Sequence, residues 1–308
     1  MGRAATKVIN ATDSHTEAHA IITINNNIYL TGNSVRGEVY AIYSFCELVL
    51  GVSPTYYFTD VEPTPQLNAT NIRVTTTQFA APAFKWRGIF PNDEDLLSNF
   101  SPDPLKQSMF STSMWNRILE CLLRLKGNLV ITGTVSFPDE SHYDLVKQRG
   151  IAVTEQHFTL LGTNTWRWPD GIPYSFDLNP EMQSFVWESM VNSYSGRESV
   201  WTIGYRGLND YAFWNDEPSF NTTTSRCALV AAAMERQADI VRRTPGRSND
   251  ECVTYLWSEM LELYLSGELE LPDRTIRVFA DDMGSGAFDP RIYDILQPGY
   301  GAYVRQAR

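Results

Sequence analysis

From residue 84 onward the sequence alternates short apolar runs with longer stretches of helical periodicity, and this alternation restricts the fold more than any other feature. Residues 84–90 read as a strand, and 108–125 as a helix with Trp115, Ile118, Leu122 and Leu125 on one side. Residues 128–132 form a short buried strand, followed by a helix near 143–149. The pattern recurs as strand 151–155 and helix 180–193, then strand 200–205 and helices 224–243 and 251–265. Residues 274–280 give a fifth strand, and 301–304 begin a sixth. Repeated strand-then-helix units require right-handed crossovers and hence a parallel sheet. The expected fold is α/β: a (β/α)8-type barrel over residues 80–308, truncated after about five or six strands. An open doubly wound sheet is the rival. It would normally carry a Gly-rich first turn, and no G-x-G-x-x-G follows the first strand.

A smaller α/β domain over residues 1–79 precedes that region. Strands at 20–24 and 28–31 are joined by the Asn25-Asn26-Asn27 turn. A helix follows from Val35, with Ser34 as its cap and Gly51 as its stop. Further strands are expected at 55–58 and 72–76.

A formal net charge of −11 argues against a nucleic-acid partner, which would want a basic face. No apolar run reaches membrane-spanning length, so no membrane span is expected. Four Asn-X-Ser/Thr patterns, at Asn10, Asn68, Asn99 and Asn221, point to a secreted, extracellular product, although residues 1–4 lack the apolar stretch of a secretion signal. The four cysteines show no C-x-x-C spacing, which suggests neither a zinc site nor a redox pair. Cys46 and Cys121 read as buried thiols, and Cys227 with Cys252 as a pair that a disulfide could join. Trp115, Trp187 and Trp257 read as core aromatics.

In a β/α barrel the reacting groups gather at the carboxyl ends of the strands. After the first strand comes Asn92-Asp93-Glu94-Asp95, and after the third Glu155-Gln156-His157. After the fourth come Arg206 and Asp210, then Asp216-Glu217, and after the fifth Asp281-Asp282. Carboxyl groups on different strands of one barrel face suit glycoside cleavage, in which one protonates the leaving oxygen while the other activates water or attacks carbon. Arg206 reads either as an anchor for an anionic sugar or as a structural ion pair with Asp210 or another nearby carboxylate. His157 reads either as a substrate contact or as a satisfied histidine.

Four stretches resemble glycoside hydrolase family 115, the xylan α-1,2-glucuronidases: Lys85-Trp86-Arg87-Gly88-Ile89-Phe90-Pro91-Asn92-Asp93-Glu94, Trp201-Thr202-Ile203-Gly204-Tyr205-Arg206-Gly207 reaching Asp210, Leu271-Pro272-Asp273 with Val278-Phe279-Ala280-Asp281-Asp282, and Arg36-Gly37 through Gly51-Val52-Ser53-Pro54. The resemblance implies a small α/β domain before a catalytic barrel. It further implies inverting, exo-acting removal of 4-O-methylglucuronic or glucuronic acid from glucuronoxylan or an acidic oligosaccharide, without metal or cofactor. Residue by residue, Asn92, Asp93 and His157 match substrate-contacting positions, and Arg206 an arginine that meets the uronate. Asp210 and Asp281 match the catalytic pair, with acid and base left open. A homodimer of the full-length protein is compatible with the resemblance. Two departures stand out: Gln156-His157-Phe158-Thr159 replaces a His-His-Glu-Pro run, and Met283 replaces an Asn after the acidic pair. Family enzymes are also much longer. The alternatives are a non-catalytic glycan-binding fragment, or another barrel glycosidase of hexosaminidase type using the adjacent Asp216-Glu217.

Overall fold

The computed structural model describes residues 17–59, 62–63, 74–92, 111–133, 138–163, 165–281, 287–297 and 299–303. The chain divides into two units, one of residues 1–130 and 144–151, the other of residues 131–143 and 152–308.

The first unit opens with a hairpin of β1 (His19–Ile24) and β2 (Asn27–Gly32), paired antiparallel. Asn25 and Asn26 turn the chain at φ of 49° and 62°, the left-handed region that asparagine tolerates best among residues with a side chain. β1 takes a second antiparallel partner in β3 (Thr77–Phe79), later than the strand expected at 72–76, part of which lies outside the described residues. The strand expected at 55–58 is instead a single turn of tight helix, Tyr56–Phe58. Tyr56 and Tyr57 stack at 4.1 Å with Arg124 over the Tyr56 ring, which places neighbouring side chains together rather than on alternate faces. Helix α1 (Val35–Leu48) starts as expected at Ser34, whose side chain accepts from the Gly37 amide.

Glu17 is the polar centre of this unit. Its buried carboxylate accepts from Arg36, Arg87 and Asn128. Burial opposes its ionisation, but these donors outweigh burial and hold the carboxyl below the usual range. Close by in sequence, β4 (Gly88–Ile89) pairs parallel with β5 (Leu129–Ile131). A Cβ at Gly88 would stand 2.8 Å from the Leu129 carbonyl oxygen, so this approach demands glycine. Helix α2 (Thr112–Arg124) buries Met114, Trp115, Ile118, Leu119 and Leu122, each worth roughly 1.5–3 kcal/mol of apolar burial.

After helix α3 (Ser141–Gln148), the second unit supplies β6 (Ala152–Thr154), β7 (Val200–Thr202), β8 (Glu251–Leu256), β9 (Ile276–Ala280) and β10 (Gly301–Tyr303). β7 to β10 form a parallel sheet in chain order, and Val153 bridges Ser199 in parallel beside β7. Helix α4 (Pro180–Ser193) has the expected bounds, and α5 (Thr223–Arg243) starts with a Thr222–Ser225 capping box. Helices α6 (Glu259–Leu265) and α7 (Pro290–Tyr293) complete it.

The expected helix at 251–265 is in fact β8 followed by α6, so among the described residues β4 to β10 make seven strands where the sequence suggested six. Val253, Thr254 and Leu256 are all buried, so β8 lacks the one-sided alternation of a half-exposed strand and runs into the apolar period of α6. The fold is thus mixed α/β with parallel strands. All four cysteines are free, Cys227 and Cys252 included, and no helix among the described residues is long and apolar enough to cross a membrane.

Glu155, just past β6, is 3% exposed. The Tyr143 hydroxyl donates to its Oε1 at 3.0 Å, the Tyr194 hydroxyl donates to the same atom, and Oε2 is buried with no hydrogen-bond partner among the described residues. Burial pushes its pKa from 4.5 up to about 7, the tyrosine hydroxyls offsetting only part of the effect. A pKa raised in the folded state contributes stability that is complete below pH 4.5 and is lost as pH rises through 7. We predict that urea unfolding of the wild type loses on the order of 3 kcal/mol across that window. Glu155→Gln should flatten this dependence, and an unchanged pH slope in the variant would contradict the assignment.

Candidate functional site

Parallel strands present their carboxyl ends on one side, and in the second unit those ends carry most of the expected residues. His157 follows β6, Arg206 and Asp210 follow β7, Trp257 and Glu259 follow β8, and Asp281 follows β9 directly. The segment after β7 is held to its course by backbone partners. Ile203 donates to the Val253 carbonyl at 2.9 Å, and the fully buried Gln237 side chain satisfies both the amide and the carbonyl of Gly204 at 2.9 Å each. The Gly207 amide then donates to the Tyr211 carbonyl at 2.8 Å, folding the loop back. A Cβ at Gly207 would run into the Tyr211 ring, so the fold-back needs glycine. It returns Asp210 to Arg206.

Arg206 is 3% exposed. Its Nε and Nη2 donate to the two oxygens of Glu259, the latter at 2.9 Å, and its Nη1 donates to Asp210 Oδ1. This forked pairing joins the ends of β7 and β8, and it realises the ion-pair reading of Arg206. Three of the five guanidinium N–H groups are engaged by these carboxylates, which among the described residues leaves two.

His157 Nε2 lies 2.8 Å from Asp210 Oδ1, so both donors to Asp210 meet the same oxygen. In the neutral ring this hydrogen bond requires the proton on Nε2. Burial lowers the His157 pKa, with the nearby Arg206 charge adding to that and Asp210 opposing it, so the imidazole is the weaker base. For Asp210 burial acts upward, but the His157 hydrogen bond and the Arg206 charge outweigh it and hold the carboxyl below its usual range. Asp210 is therefore an ionised carboxylate with 48% of its side chain exposed. Both of its donors pack on one indole: the His157 ring is 4.9 Å from that of Trp257, and the Arg206 guanidinium lies 5.2 Å from it.

The remaining expected residues are more scattered. Asp281 is 1% exposed at the end of β9. Asn92 lies after β4 in the first unit, its amide donating to the Phe90 carbonyl at 2.8 Å, and Asp93 and Asp282 lie outside the described residues. Asp216 and Glu217 have separate partners, Asp216 accepting from Tyr211 and Glu217 from Ser175, each at 2.7 Å. Trp257 and Glu259 were missed because β8 was read as helix, which turned a strand end into a helix interior. Among the described residues no group of three or more His, Cys, Asp or Glu could hold a metal ion.

The model of glycosyl hydrolase family 115 matches residues 80–289, more than half of the 308-residue chain. No curated protein sequence matches it. Among solved structures, a family GH115 4-O-methyl-α-glucuronidase with specificity for decorated arabinogalactans superposes with a TM-score of 0.75 at 22% identity, over 90% of this chain and 38% of that enzyme. A GH138 enzyme targeting pectin rhamnogalacturonan II reaches a TM-score of 0.48 at 10% identity, over 88% of this chain and 33% of its own. The chain thus spans less than half the length of either neighbour. By its match over residues 80–289, this chain belongs to glycosyl hydrolase family 115.

Proposed function

We propose that this chain contributes part of the active site of an inverting, exo-acting α-glucuronidase that removes (4-O-methyl)glucuronic acid from xylan. The observation that carries the reading is Asp210, an ionised and half-exposed carboxylate held by His157 and Arg206 at the carboxyl ends of parallel strands. An ionised carboxylate accepts a proton, so Asp210 is the general base that activates water, and the proton donor's role falls to Asp281. The two follow β7 and β9, which are separated by β8. Inversion requires carboxyl groups about 6.5–9.5 Å apart to admit a water molecule. Water attacks the anomeric carbon as the glycosidic C–O bond breaks, its proton passing to Asp210 while Asp281 protonates the leaving oxygen. The two N–H groups of Arg206 that Asp210 and Glu259 leave are the donors offered to the uronate carboxylate, with His157 as a further contact.

Asp210→Asn and Asp281→Asn in the full-length protein should each lower uronate release from decorated xylan by about 10²- to 10⁴-fold. Full activity in both would sink the reading. Activity kept in Asp281→Asn but lost in Glu259→Gln would move the acid to Glu259. Faster release from decorated arabinogalactan than from xylan would reassign the substrate to the class for which the GH115 neighbour is specific.

Arg206→Lys keeps the charge but loses the fork. It should reduce kcat/KM toward uronate-bearing substrates by at least about 10²-fold, with a rise in KM. Arg206→Met strands the largely buried Glu259 and removes one of the two donors to Asp210, and should cost about 3–5 kcal/mol in urea unfolding.

A further inference from the structure

The aromatic residue under the site has a role of its own. We propose that Trp257 is the positioning residue of this site: its indole packs against both groups that donate to Asp210 and keeps them aimed at one carboxylate oxygen. The inference rests on the reading of Asp210 as the base and names what holds that base in its working form.

The donors come from different strand ends, His157 after β6 and Arg206 after β7, and Trp257 comes from a third, after β8. Its ring lies 4.9 Å from the imidazole and 5.2 Å from the guanidinium. Without a shared surface, two side chains from separate loops would each have rotamer freedom to lose on converging at Oδ1. Cation–π attraction and ring packing remove much of that freedom beforehand. The chain leaves Trp257 through Ser258 at φ 52°, a left-handed conformation in a non-glycine residue. Strain of this kind persists where surrounding contacts over-determine it. Here it separates the two neighbours of Ser258, so that Trp257 packs beneath the cluster while Glu259 forks onto Arg206.

The charged and titratable groups facing His157 and Asp210 are each other, Arg206 and Glu259, from the ends of β6, β7 and β8. Glu259 is tied to Arg206, so loss of Trp257 acts first on the histidine, which gains solvent and torsional freedom. Its titration should rise toward the ordinary imidazole value, and its neutral form should no longer be confined to the Nε2–H tautomer.

The test is 15N and 1H NMR of the His157 ring in this chain, in the wild type, Trp257→Phe and Trp257→Leu. The wild type should show a single Nε2–H tautomer. Trp257→Leu should show mixed tautomers and a titration midpoint higher by about 0.5–1 unit, with Trp257→Phe in between. If Trp257→Leu does not fold, the Phe variant carries the test with a smaller shift of the same sign. An unchanged tautomer and midpoint in every variant that folds would overturn the proposal. A merely structural role would lower the unfolding midpoint without changing the tautomer. Because the readout is the ring itself, this failure is separate from failure of the glycosidase reading, which rests on uronate release by Asp210→Asn.

Discussion

The buried guanidinium of Arg206 is the interaction on which the strand-end cluster depends. A charge at 3% exposure is unfavourable unless its donors meet well-placed acceptors. Here the acceptors come from two loops, Asp210 after β7 and Glu259 after β8. Neither loop could move alone without leaving a charge unpaired out of water, so the pairing fixes the loops to each other. The backbone prepares this: Gln237 closes off Gly204 two residues upstream, and Gly207 permits the turn that brings Asp210 back. The first unit uses the same device, with Glu17 satisfied by Arg36, Arg87 and Asn128. In each unit one ion at the centre draws in segments that are distant in sequence.

How much of this was legible beforehand follows from how each element is buried. Hairpin β1–β2 announced itself through Asn25-Asn26, because a turn that needs positive φ has few suitable residues. Helix α4 was readable to its bounds, since Pro180 at the start has one natural helical position. β8 was not. A strand buried on both faces loses the period of two, and the run 252–263 then satisfies a helical template as well as a strand template. That misreading hid Glu259 and placed Trp257 in the core. His157, Arg206, Asp210 and Asp281 could be placed at strand ends from the sequence because they follow strands whose ends were located within a few residues. Sequence could place Arg206 near carboxylates. It could not say that the fork belongs to Glu259, because that partner sits 53 residues away behind an unrecognised strand.

Two carboxyl groups in the second unit show why burial alone does not set an acid's role. Glu155 and Asp210 both meet desolvation as the largest influence, and in both it acts upward. Glu155 is answered chiefly by the hydroxyls of Tyr143 and Tyr194, with smaller help from the Arg197 charge and Thr132; Oε2 is left without a hydrogen bond among the described residues, and the pKa settles at about 7. Asp210 is half-exposed and answered by a guanidinium and an imidazole, and its pKa ends below the usual range. Asp210 thus meets a smaller desolvation cost together with a directly bonded guanidinium, and the two differences act in the same direction. Glu155 lies only two residues from the histidine that serves Asp210, so the contrast comes from the direction each side chain faces. Glu155 turns toward tyrosines of the surrounding helices, where a proton is stabilising, whereas His157 faces the strand-end cluster, where it keeps a carboxylate ionised.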